Sequence, residues 1–163
     1  MAGLAATNSK RRGKVPADDM LALGYLAGVL GFHLRQASAA VYRDFARQMA
    51  SFDLTQKQFA VLELIASNAE VSQIDLATTL GTDRATMMAL VDRLEVRSLL
   101  TRRASLADRR RQMLFLTDAG QSLLAGARIA VAAHEQRFTG RFSGPQLAGL
   151  IEGLERIYSG TSE

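Results

Sequence analysis

Leu76-Ala77-Thr78-Thr79-Leu80-Gly81-Thr82-Asp83-Arg84-Ala85-Thr86-Met87-Met88-Ala89-Leu90-Val91-Asp92-Arg93-Leu94-Glu95 holds two helical patterns with almost nothing between them. The first opens where Ser72 precedes Asp75 by three residues, the spacing of a capping box, and carries Ile74, Leu76, Ala77 and Leu80. Gly81 stops it, because glycine adopts the left-handed conformation that ends a helix without a Cβ clash. Thr82 or Asp83 then caps a second helix, running to about Arg97 on Met87, Leu90, Val91 and Leu94. Two helices joined by so short a turn are a helix-turn-helix.

On a 100° wheel the second helix keeps Met87, Leu90, Val91 and Leu94 on one side, while Ala85, Met88, Ala89 and Asp92 face away and Arg84 and Thr86 flank the seam. Outward alanines and a methionine suit a helix laid in the major groove of duplex DNA, where small apolar groups meet thymine methyls. Arg84 and Thr86 are placed for base edges or phosphates, and Arg93 for the backbone. The plainer alternative is a solvated helix rich in good helix formers. Ser72 and Gln73 open the preceding helix, whose N-terminal amides can receive a phosphate.

Before this pair, Thr55 and Gln58 repeat the capping pattern ahead of a helix of about a dozen residues on Phe59, Val61, Leu62 and Ile65. From Asp18 to about Ala50, Leu21, Tyr25, Val29, Phe32, Leu34, Val41, Phe45 and Met49 recur at three- and four-residue steps, which predicts one long helix. At about 30 residues it would span roughly 45 Å, more than a domain of this size needs for its own core, and so points to a second subunit. After Ser98 the period changes to a two-stranded hairpin over Leu99–Arg103 and Met113–Thr117. Thr117-Asp118-Ala119-Gly120 starts another helix, and Ser143-Gly144-Pro145 precedes a last one on Leu147, Leu150, Ile151, Leu154 and Ile157.

Charge is concentrated at the hairpin. Between Ser98 and Arg111 stand five arginines, Arg102, Arg103, Arg109, Arg110 and Arg111, against the single acid Asp108. Guanidinium groups favour the negative potential of a narrow minor groove, which makes the tip Asp108-Arg109-Arg110-Arg111 a second contact. Asp108 beside a polyanion is costly unless it orients an arginine, so a bidentate pair with Arg110 is expected. The alternative is a solvated charge run.

The 163 residues carry no cysteine and only two histidines. Disulfides, thiolate nucleophiles, zinc fingers and a dedicated metal site are therefore not expected, nor is a cofactor. His33 and His134 lie in helical stretches without a nucleophile elbow, phosphate loop or carboxylate pair, so no enzyme is expected. No window has the roughly 18 apolar residues of a membrane span, and a cytoplasmic protein follows as the expectation.

The runs Leu76–Gly81, Asp83–Thr86, Leu90–Glu95, Asp108–Arg110 and Leu116–Gly120 together resemble the MarR family of bacterial regulators, over roughly residues 54 to 120. The resemblance implies a mainly α chain with a small β-hairpin wing. It assigns the winged helix-turn-helix lobe to 54–117 and a helical dimerisation module to 18–53 and 118–163; ahead of them residues 1–17, with Lys10, Arg11, Arg12 and Lys14 and no apolar period, read as a disordered basic arm, either a solvated tail or a non-specific attraction for phosphate. It further implies a homodimer on palindromic double-stranded DNA that regulates transcription, more commonly as a repressor. Asp108 and Arg110 match the family's wing pair by motif position. Ala85 stands where serine is frequent, Met88 and Ala89 replace a usual Thr-Arg pair, and Ser98 replaces a helix-ending glycine. The wing also lacks the frequent Asp-Pro before its second acid. These departures bear on operator sequence rather than fold.

By resemblance alone, a small aromatic or anionic effector would enter a crevice beside the DNA-binding lobe. His33, Arg35, Gln36, Tyr42 and Arg43 on the first helix would suit an aromatic acid or its thioester; equally, the arginines are solvated and His33 is a satisfied core or interface residue. The other functional reading is an architectural or protein-binding winged module without an effector. Preference for its own promoter over bulk DNA separates the two.

Overall fold

The computed structural model describes residues 21–105 and 111–159. The chain divides into two units, Met1–Gln36 and Ala37–Glu163. In the first, a 3-10 turn covers Gly24–Gly28, Val29 is extended, and α1 (Leu30–Gln48) begins. The single helix expected from Asp18 to Ala50 is therefore corrected. Gly24 takes φ 51° and Val29 φ −90°, ψ 107°, neither of which continues a helix. Apolar spacing ran through this segment, but its glycines weaken the commitment by about 1 kcal/mol apiece. At 19 residues α1 is about 28 Å long, and its length no longer argues for a second subunit. The expected basic arm, 1–17, lies outside the described residues.

In the second unit, Ala50–Phe52 form a short 3-10 turn and α2 (Gln56–Ser67) follows a full capping box between Thr55 and Gln58. Next come β1 (Val71–Ser72), α3 (Gln73–Thr79), α4 (Arg84–Val96), β2 (Leu100–Ala104), β3 (Gln112–Leu116), α5 (Asp118–Thr139) and α6 (Gly144–Ser159). The expected hairpin is present as β2 and β3, and β1 adds a third strand to it in the order β1-β3-β2. β1 was missed because Ser72 does two jobs. It pairs with Met113 in the sheet and caps α3 through Asp75, and two residues are too few to show a period. The β2–β3 ladder runs from Leu100 opposite Leu116 to Ala104 opposite Gln112.

One core joins every layer of this unit, with Phe45 and Met49, Val61 and Leu62, Leu76, Met87, Val91 and Leu94, Leu100 and Leu114, and Leu124 and Ala127 all buried. Gly120 lets α5 start hard against the sheet. A Cβ there would fall 1.9 Å from the Leu99 carbonyl oxygen, which no side chain can occupy. By contrast no residue of α6 is fully buried: Leu147 and Leu154 are half-buried, and Leu150, Ile151 and Ile157 remain 43–48% exposed along one helical stripe.

Candidate nucleic-acid interface

The turn between α3 and α4 is built from backbone hydrogen bonds. Gly81 at φ 55° sends its amide to Thr78 and the Thr82 amide to Ala77, the paired bonds of a Schellman motif. Asp83 then caps α4, its carboxylate accepting from the Thr86 amide at 2.9 Å and the Thr86 hydroxyl at 2.6 Å. These bonds, the hydroxyl foremost, hold the Asp83 carboxyl below the usual carboxylate range. The far end of α4 closes by a second Schellman motif, Ser98 to Glu95 and Leu99 to Leu94, with Ser98 at φ 57° where glycine is the easy choice.

α4 is thereby presented with its back in the core and its front in solvent. Met87, Val91 and Leu94 have no measurable exposure, whereas Arg84, Ala85, Thr86, Met88, Ala89 and Arg93 are all exposed. Thr86 has given its proton to Asp83, so toward a base it can act only as an acceptor or through its methyl. Of the pair expected at the start of α3, Ser72 is buried and its hydroxyl is engaged by Asp75, while Gln73 is half-buried.

The hairpin arginines divide by role. Arg102, on β2, reaches back to α4 and donates to both Asp92 and Glu95. Arg103 lies 5.2 Å over the Phe115 ring. Arg111 is exposed, its Nη2 3.8 Å from Asp75 and its carbonyl accepting from the Ser105 amide at 2.9 Å. Asp108, Arg109 and Arg110, and with them the expected Asp108–Arg110 pair, lie outside the described residues. Arg97 spends its guanidinium on the carbonyls of Asp53 and Phe52, at 2.6 and 3.0 Å, fastening the end of α4 to the chain ahead of α2.

The residues expected to line an effector site are all exposed. In the first unit His33 Nε2 donates to the Ala27 carbonyl at 2.9 Å. In the second, Tyr42 lines a cavity of about 200 Å³ with Phe45, Met49 and Leu54. A larger cleft of about 390 Å³ opens between α2, β3 and α5, lined by Ile65, Phe115, Leu116, Leu124 and Arg128. Arg128 is held there by a bidentate pair with Glu63.

A buried polar cluster went unseen in the sequence. His134, 1% exposed, donates from Nδ1 to Asp44 at 2.8 Å, and Arg47 and Arg137 donate to the same carboxylate at 2.7 and 3.1 Å. The hydrogen bond from His134, followed by the arginines and opposed by burial, holds Asp44 below the usual carboxylate range. The available signal was the three-residue spacing of Asp44 with Arg47 and of His134 with Arg137; what joins them is tertiary. Among the described residues no group of histidines and acids is arranged to hold a metal ion, and no helix is long and apolar enough to cross a membrane.

Residues 52–111 match the sequence model of the MarR family. The putative transcriptional regulatory protein for the hcr operon of Thauera aromatica is 38% identical over 157 residues, 94% of this chain and 95% of that protein. The transcriptional repressor CouR bound to a 23-mer DNA duplex has TM-score 0.80 at 38% identity, covering 85% of this chain and 99% of that one. CouR bound to p-coumaroyl-CoA has TM-score 0.76 at 36% identity, covering 85% and 98%.

Proposed function

This chain belongs to the MarR family of transcriptional regulators, and on that premise we propose that it represses transcription as a homodimer on a palindromic operator, released by a small aromatic acid or its thioester. The observation that carries the reading is the two-sidedness of α4, with Met87, Val91 and Leu94 sealed in the core and Arg84, Ala85, Thr86, Met88, Ala89 and Arg93 left to solvent. That front fits the major groove of B-DNA, about 12 Å wide. Arg109, Arg110 and Arg111 enter the flanking minor groove, while Gln73 and the start of α3 face phosphates. The lobe 54–117 reads DNA and the segments 18–53 and 118–163 pair the subunits, the exposed α6 stripe being the apolar surface such pairing would cover.

The effector limb is supported by CouR, solved both on DNA and with p-coumaroyl-CoA. We place the effector on His33, Arg35, Gln36, Tyr42 and Arg43. The relatives are transcriptional regulators, and we read this protein as one without a catalytic step, acting in the cytoplasm. A mobility shift on the DNA upstream of its own gene, repeated across phenolic acids and their thioesters, tests both limbs. The expected result is a shift that at least one compound abolishes. Equal binding to unrelated DNA overturns the operator limb, and a panel that releases nothing overturns the effector limb.

A further inference from the structure

We propose that Arg102 is a positioning residue for DNA recognition: from strand β2 it masks the two carboxylates of α4 and locks that helix to the wing. Asp92 lies three, four and seven residues after Ala89, Met88 and Ala85, which puts it on the same exposed front of the helix. A free carboxylate there would face the phosphates that α4 must approach. Glu95, three residues further on, adds a second negative charge beside it.

Arg102 answers both. One terminal nitrogen donates to Asp92 and the other to Glu95, and its side chain is 26% exposed against 52% and 36% for the two acids. The planar fork is what allows one cation to span two acceptors; a lysine ammonium has no such geometry. Arg102 pairs with Leu114 at the middle of the β2–β3 ladder, so the side chain that neutralises α4 also ties it to the hairpin leading to Arg111. With both terminal nitrogens engaged, Arg102 is committed to α4 and its charge serves DNA binding indirectly. One residue thus sets the spacing between the two parts that grip the duplex.

The inference rests on the reading of α4 as the DNA-facing helix, and the test separates the two. Affinity for the upstream duplex is measured for the full-length protein, for Arg102→Ala, for Arg102→Lys, for Asp92→Asn with Glu95→Gln, and for these two combined with Arg102→Ala, each first shown to be folded by circular dichroism. Arg102→Ala should lose roughly ten- to a hundredfold in affinity, the span for one charge-assisted bond left unmade. Arg102→Lys should keep the fold and lose part of that. Neutralising the acids should restore to Arg102→Ala the share of affinity lost to unmasked charge, whereas in the unmodified background, where it only breaks the tie between α4 and the wing, it should cost affinity.

An arginine that itself contacts phosphate shows no such change of sign, because neutralising the acids then acts alike with and without it. Binding by the unmodified protein with no loss in Arg102→Ala and Arg102→Lys, or with a loss that neutralising the acids leaves in place, overturns the role of Arg102 alone. No binding by the unmodified protein overturns the reading of α4 beneath it.

Discussion

Ser98 occupies a backbone conformation for which its side chain is a handicap. At φ 57° it closes the Schellman motif of α4, a position where a Cβ costs about 1–2 kcal/mol and glycine costs nothing sterically. Ser98→Gly should raise stability by about 0.5–1 kcal/mol, glycine's greater freedom in the unfolded chain offsetting part of the relief. Urea denaturation reads this directly, and an unchanged or lower midpoint would contradict it. At this scale local chemistry was legible: both capping boxes and the Gly81 stop were read from residues three apart, because a cap is made within one turn. The partners of Arg97 and Arg102 were not, since nothing in a strand or helix period says which acid or carbonyl lies opposite. The arginine run showed where charge gathers along the chain, and the fold then turned Arg102 inward to α4 and laid Arg103 on Phe115.

Elements were legible where a period was long and uninterrupted, and obscure where it was short or broken by glycine. α4 and α5 follow their apolar steps closely, β1 has two residues, and the segment before Leu30 lost its helix to Gly24 and the extended Val29. The two faces of α4 give a paired prediction. Ala89→Glu, on the exposed face, should leave thermal stability within about 0.5 kcal/mol while lowering operator affinity at least tenfold. Met87→Ala, on the sealed face, should cost about 2–5 kcal/mol of stability. If Ala89→Glu binds the operator unchanged, that face does not meet DNA. The contact between α1 and α5 at Asp44 predicts a pH dependence. The Asp44 carboxyl is lowered in the fold, so its contribution is fully present above the unfolded value near 4 and drains away as pH falls through the lower folded value. Asp75 and Asp83 are lowered too and act in the same direction. The quantity to measure is therefore the difference between the protein and Asp44→Asn. The variant should lose less stability between about pH 5 and pH 2.5, and parallel curves would contradict the Asp44 contribution.

In the whole molecule, the winged fold was recoverable because its order of elements is itself a pattern: helix, helix, tight turn, helix, charged hairpin. The pairing of subunits was expected from the family resemblance and from the length of the first helix; the length no longer argues for it, and the apolar stripe of Leu150, Ile151 and Ile157 on α6, 43–48% exposed, supports it better. Two copies related by a two-fold axis would carry two α4 helices to successive major grooves on one side of a duplex. Hydroxyl-radical footprinting on the DNA upstream of the gene tests that geometry most directly. Paired protected patches centred about 34–36 Å apart, one helical turn, are expected on the operator and absent from unrelated sequence. A single isolated patch, or uniform protection at every sequence, would contradict it.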